Sequence, residues 1–159
     1  MRPVTGSRKN QRGITLIYGV AALFVTIPMV GMAVDVGILY NTKAQLQAAV
    51  DGAALAAARA LNLGNSTASQ VTSAQTNATN WFYANFPSGV WGTSGTVVPL
   101  AIVSDDPVNP RIRNVTVSAS TNVPTYFMRL LSFNTTSISA IGNAARRDVV
   151  VMLVLDRSG

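Results

Sequence analysis

The sequence predicts an α+β protein with a single N-terminal transmembrane helix that continues into a long Ala-rich helix, followed by a small exported domain holding an antiparallel sheet of about three strands. Three observations carry that prediction. Residues 14–34, ITLIYGVAALFVTIPMVGMAV, contain no charged side chain; almost every residue from Ile38 to Leu63 is a fair helix former; and three later runs are strand-like in composition, two of them alternating.

At about 1.5 Å per residue, the uncharged run of residues 14–34 makes a helix of about 30 Å, the thickness of a bilayer's hydrocarbon core. Pro28 is expected to kink it, and Gly19, Ala21, Ala22, Gly31 and Ala33 leave room for another helix to approach closely. Arg2, Arg8, Lys9 and Arg12 precede the run in a basic stub, residues 1–13, and Asp35 follows it. That asymmetry places the N-terminus in the cytoplasm and the remainder outside the bacterial inner membrane, a single-pass arrangement with the lipid bilayer as first partner. Two other readings compete. A secretory signal peptide would need a shorter apolar region and a better cleavage site than Gly31-Met32-Ala33, and a buried core helix would not be uniformly apolar for this length.

Composition narrows the function. The chain has 159 residues, 48% of them hydrophobic and 11% charged, and lacks both cysteine and histidine. Disulfides, thiolate metal sites and the usual general base are therefore absent, so no enzymatic activity is expected. The net charge of +6 raises the question of nucleic acid, but beyond residue 13 the chain holds eight basic and six acidic residues with no extended basic face. No nucleic-acid partner is expected.

From Asp35 to Leu63 the helix is expected to run outward from the membrane, with Gly64 placed to end it. Leu39, Leu46, Ala53 and Ala60 recur every seven residues, interleaved with Ala49, Ala56 and Leu63, which makes a stripe of small apolar side chains. Such a stripe either docks on the protein's own exported domain or associates with another subunit, self-association included. Sequence alone leaves both open.

Residues 64–145 read as an exported α+β domain with Ser/Thr/Asn-rich linkers. Within residues 70–86, Val71, Ala74, Ala78, Trp81 and Asn85 line one helical face, with Phe82 and Phe86 beside it. Strands are expected at 97–103, 111–121 and 135–145. In the second, Val115, Val117 and Ala119 face one way and Thr116, Ser118 and Ser120 the other; Ile138, Ala140 and Gly142 repeat that period in the third. Between these two strands, VPTYFMRLLSF predicts a helix with its proline in the first turn and an apolar face of Phe127, Leu130 and Leu131.

The Arg-Gly before the apolar span, then AVDVGILY and QLQAAVDGAALAAARAL, resemble the N-terminal module of the TadG-like proteins of tight-adherence (Tad), or Flp, pilus-assembly systems. The likeness covers residues 12–63 and rests on Val34-Asp35-Val36-Gly37, Tyr40, Gln45, Leu46, Gln47, Ala49, Asp51 and Ala53 to Ala58. It implies a bitopic bacterial cell-envelope protein acting among pilus-assembly components. A looser resemblance to prepilin leaders, cut after a glycine, falls on Gly13, but Tyr18 stands where those leaders carry a glutamate. Processing at Gly13 or Ala33 is left open, and an anchoring role is favoured over a filament-forming one.

The final residues, 146–159, end in VVVMLVLDRSG, whose apolar run suits a strand buried on both faces. The stretch resembles the first strand of a von Willebrand factor A domain, where Asp156 and Ser158 match the start of a D-x-S-x-S metal site. The resemblance implies that a full-length protein would bind Mg²⁺, while Asp156 and Ser158 alone make an incomplete site and no cofactor is expected in this fragment. The expected function is a membrane-anchored component of a Tad/Flp-type pilus assembly or adhesion system, acting through anchoring and contact with pilus-assembly or envelope proteins. The alternative is a membrane-anchored fragment of a metal-dependent A-domain protein unrelated to pili.

Overall fold

A computed structural model describes residues 11–98, 101–109, 111–148 and 152–155. Helix α1 (Gln11–Ala60) is continuous through Pro28 and carries both the apolar span and the Ala-rich run. Every described side chain from Gly13 to Val34 is exposed except Gly31, whereas from Thr42 onward α1 buries one face. The change follows composition: β-branched and aromatic side chains crowd the first half, and alanines dominate the second. The helical run expected to reach Leu63 ends at Ala60, with Leu61 to Leu63 in a turn.

Helix α2 (Thr67–Asn85) begins three residues before the apolar periodicity does, because Ser66 and Ser69 form a reciprocal capping box. Its buried residues are Ala74, Ala78 and Phe82, continued by Phe86 just past the helix. Phe82 and Phe86 therefore occupy the centre of the packed face, and Trp81 and Asn85, expected there, are exposed at its margin. The reason is close approach of the helices. Trp81 lies over Gly52 of α1 so tightly that a Cβ at Gly52 would collide with the indole, which keeps the large ring at the rim while alanines meet inside.

The sheet has four strands: β1 (Ser94–Val97), β2 (Ile102–Asp105), β3 (Ile112–Pro124) and β4 (Thr135–Arg147). β4 pairs antiparallel with β3 along its whole length, from Ile112↔Arg147 to Pro124↔Thr135. The other edge of β3 is shared in line by β1, at Ser94↔Asn122 and Val97↔Ser120, and β2, from Ile102↔Thr116 to Asp105↔Arg113. The single strand expected over 97–103 is thus two, and the sheet is three strands wide. Pro99, which has no amide hydrogen, stands in the sequence between them, and the β1 register shifts by a bulge. Beyond β2, the Asp106 carboxylate accepts hydrogen bonds from the Asn109 and Val108 amides, both at 2.9 Å, which holds its carboxyl below the usual carboxylate range.

One face of the sheet is covered by α1 and α2. Val115, Val117 and Ala119 of β3 and Ala140 of β4 are buried on that face, as their alternation predicted, and the same side continues through Thr121 and Val123, the latter beyond the expected strand end at 121. The core joins them to Leu46, Ala49, Val50, Ala53, Ala54 and Ala57 of α1 and to the α2 residues Ala74, Ala78, Phe82 and Phe86. The small-residue stripe of α1 accordingly packs inside the chain at Leu46, Ala49, Ala53 and Ala60. Across the interface, Arg113 Nη1 donates to Gln70 Oε1 at 2.8 Å, joining β3 to α2.

The segment expected to form a helix after β3 does so only as a 3₁₀ turn, Met128–Leu131. Pro124 is the last residue of β3, paired with Thr135, where a missing amide hydrogen is tolerated at a strand end. Leu130 and Leu131, expected on an apolar face against the sheet, are 80% and 59% exposed. At the other end of the chain, Met152 to Leu155 are exposed and in no strand. The rest of the expected A-domain strand, and Asp156 and Ser158 of the incomplete metal site, lie outside the described residues.

Candidate functional site at the helix–hairpin junction

β4 runs alongside α1 in the same direction, and the two elements keep pace. Two strand residues advance about 6.6 Å and one helical turn of four residues about 6 Å, so successive α1 side chains meet successive edge groups of β4. Lys43 Nζ donates to the Ser139 carbonyl, and Gln47 Nε2 donates to the Ile141 carbonyl at 2.9 Å and to Asp51 Oδ1 at 3.0 Å. One step further, Gly142 lies against the α1 backbone at Val50. These donors occupy carbonyls on the outer edge of β4, which would otherwise offer a long template for pairing with another strand.

At the end nearer the apolar span, the same row of residues reaches Asp35 and Gly31. Asp35 is buried, and its carboxylate accepts three backbone amides from the tip of the β3–β4 hairpin: Tyr126 at 2.9 Å, Phe127 at 2.9 Å and Met128 at 2.7 Å. These amides precede and open the 3₁₀ turn, where they have no carbonyl partner within the turn itself. A carboxylate there satisfies all three with charge-assisted hydrogen bonds. Gly31, one helical turn earlier, is buried beneath the Phe127 ring, leaving no room for a Cβ. Between these grips, Thr42 is buried and returns its hydroxyl to the Ile38 carbonyl at 2.8 Å.

In the sequence Asp35 stands as the first charge after the span and as a residue of the TadG-like motif, with no contact assigned to it, and Lys43 and Gly142 likewise carry no assigned contact. A signal was present: Gly31, Asp35, Lys43, Gln47 and Asp51 all fall in one row at multiples of four residues, a ridge that puts neighbours on adjacent turns and winds slowly around the helix. It was overshadowed by the seven-residue spacing of Leu39, Leu46, Ala53 and Ala60. Of the remaining motif residues, Val34, Val36, Gly37 and Tyr40 are exposed, and those of the Ala-rich half join the domain. Gln45 Oε1 accepts from Trp91 Nε1 at 3.2 Å, and Ala53, Ala54, Ala57 and Ala58 form the helix side of the core.

Residues 13–60 match the family model described as "Putative Flp pilus-assembly TadE/G-like". The matched segment is α1 almost end to end: the apolar span, the junction residues Gly31 and Asp35, and the Ala-rich half that carries the core. No curated protein and no solved structure matches the chain. The Flp-type match therefore covers the helix, and the domain that packs on it is connected to that match through the contacts above. The A-domain resemblance at the end of the chain finds no counterpart in these comparisons.

Proposed function

We propose that the chain is a membrane-anchored component of a Tad/Flp-type pilus-assembly or adhesion system that works by anchoring and protein contact rather than by catalysis. The observation that carries this reading is the division of the family-matched helix into an exposed apolar half, residues 13–34, and a half built into the α+β domain. A helix so divided suits an element that holds a folded domain at a fixed height on a membrane. The junction supplies hydrogen bonds and packing, and its buried carboxylate, Asp35, is engaged by three backbone amides, an arrangement suited to holding the loop rather than to acid–base work. The basic stub ahead of the span supports an N-terminus in the cytoplasm and a domain outside the inner membrane.

Three measurements test the reading. A phosphatase fused after Leu63 is expected to be active in the periplasm; activity of a cytoplasmic reporter at the same place would reverse the orientation. Leu23→Arg places a charge near the middle of the span, with an expected insertion penalty of about 2.5 to 3.5 kcal/mol on the translocon scale, visible as loss from the membrane fraction. In a cell that builds Flp-type pili, removing the chain should abolish surface pili, and the wild-type sequence but not the Leu23→Arg form should restore them. Pili unaffected by the removal would exclude an assembly role.

A further inference from the structure

The tip of the β3–β4 hairpin, residues 125–134, exposes Tyr126, Phe127, Leu130, Leu131 and Phe133 in one short loop, although two of its neighbours, Thr125 and Asp35, are buried. Nothing in the sheet requires that composition, since the strands pair fully as far as Pro124↔Thr135. The loop's position along α1 is fixed by its grips. Phe127 lies on Gly31 and shares a shallow apolar groove with Thr26, Ile27 and Val30. With the span ending at Val34, Gly31 lies about 4.5 Å and Ile27 about 10 Å inside its outer end, a depth typical of side chains held at the boundary between headgroups and acyl chains.

We infer that this loop is a membrane wedge: the outer-leaflet lipid around α1 covers Tyr126, Phe127, Leu130, Leu131 and Phe133. The inference rests on the reading of residues 14–34 as a membrane span, and three features of the loop carry it from there. Its apolar surface is continuous with the exposed surface of α1, through the groove shared by Phe127 and Ile27. Most of its backbone amides are paired within the protein, as a medium without water requires. The amides of Tyr126, Phe127 and Met128 donate to Asp35, that of Thr125 to the Asn134 carbonyl, that of Leu130 to Phe127, that of Ser132 to Arg129 and that of Phe133 to Met128. An irregular loop at membrane depth needs this internal satisfaction, whereas a loop in water does not. Finally, the one charged side chain of the loop, Arg129, is exposed and sits among the apolar residues, where its stem can lie along acyl chains while its guanidinium reaches lipid phosphate. Asp35 then has a second task beyond ending the span, since it neutralises the amides of a loop that enters the lipid beside the helix.

The chain has no cysteine, so a single introduced one labels a single place. Leu131→Cys, Val20→Cys and Val108→Cys are each labelled with an environment-sensitive fluorophore in the full chain. They are reconstituted in vesicles of phosphatidylethanolamine and phosphatidylglycerol, with iodide on both sides or with lipid carrying a nitroxide near its headgroup. Val20 lies in the span, and Val108 is 90% exposed in the turn at the far end of the sheet. The label at Leu131 is expected to be quenched by the nitroxide lipid and to show iodide quenching several-fold weaker than at Val108. If the Val20 label behaves as lipid-embedded while that at Leu131 is quenched by iodide as readily as that at Val108, the wedge is wrong and the anchor stands. A Leu131 label protected from both quenchers would mean that protein, such as a second copy of the chain, covers the loop, which also overturns the wedge. Iodide access at Val20 would overturn the span and the wedge together.

Discussion

Asp35→Ala is expected to release the hairpin tip from α1 and to destabilise the domain by about 3 kcal/mol. The substitution leaves the amides of Tyr126, Phe127 and Met128 without their acceptor in a buried place. At roughly 1 to 3 kcal/mol for each orphaned donor the ceiling is about 9 kcal/mol, but the loop can swing away and recover partners elsewhere, which brings the expected loss well below that figure. Asp35→Asn should be intermediate, since the amide side chain keeps one acceptor oxygen but turns an NH₂ donor toward groups that are themselves donors. Urea unfolding in detergent, followed through Trp81 and Trp91, reads the stability. Trypsin cleavage after the exposed Arg129 reads the release directly and should accelerate in the order wild type, Asn, Ala. A midpoint and a cleavage rate unchanged in both variants would show that the three hydrogen bonds do not hold the tip.

Gly142→Val is the second large effect, and its sign separates tertiary packing from local preference. Valine favours strands and glycine weakens them, so a local account expects stabilisation. The contacts require the opposite. An ideal Cβ at Gly142 lies 2.7 Å from the Val50 carbonyl oxygen and 2.9 Å from Asp51 Oδ1, and the first of these is helix backbone that cannot yield by a rotamer change. Moving α1 away would also disturb the bonds from Lys43 to Ser139 and from Gln47 to Ile141. A loss of about 3 kcal/mol is expected. Gly31→Ala should act in the same direction, because its Cβ would press on the Phe127 ring and lie 2.7 Å from the Phe127 Cβ, which ring rotation does not move while Asp35 holds the loop backbone; a loss of about 2 kcal/mol is expected there. Equal unfolding midpoints for the wild type and Gly142→Val would mean that β4 does not press on α1 at this point.

Much of the fold was legible because the relevant physics is local. The alternation of Val115, Val117 and Ala119, and of Ile138, Ala140 and Gly142, points to the covered face of a sheet with helices on one side, and those residues do face the helices. The position of α2 was legible, but its packed face was not. Helical spacing with Val71, Ala74 and Ala78 suggested Trp81, whereas the close approach of α1 at Gly52 pushes that ring to the margin and leaves the centre to Phe82 and Phe86. The run at 97–103 looked like one strand because its apolar residues are continuous. What divides it is pairing, since Val97 and Ile102 meet β3 at Ser120 and Thr116, two separate stretches of the same edge.

The row of Gly31, Asp35, Lys43, Gln47 and Asp51 marks the limit most clearly. Its regular spacing is visible in the sequence, but a helix with a glycine, an aspartate, a lysine and a glutamine along one winding ridge is equally compatible with a solvated surface. The acceptors and donors that give those residues meaning lie some 91 to 96 positions away in the chain, and which of them arrive depends on how the β3–β4 hairpin lies along the helix.

The sequence by itself determined that residues 14–34 form an uncharged helix of membrane length, that an Ala-rich helix continues it, and that the later strands have one apolar face. These follow from composition and period, which act residue by residue through backbone preference and the partition of side chains away from water. Only the tertiary structure decided that the Ala-rich stripe packs within the chain, that Gly142 must be a glycine, and that Asp35 is the clasp of the hairpin rather than a mere boundary charge. Each of those depends on a close approach between segments distant in sequence, and such an approach leaves no mark on either segment until the fold brings them together.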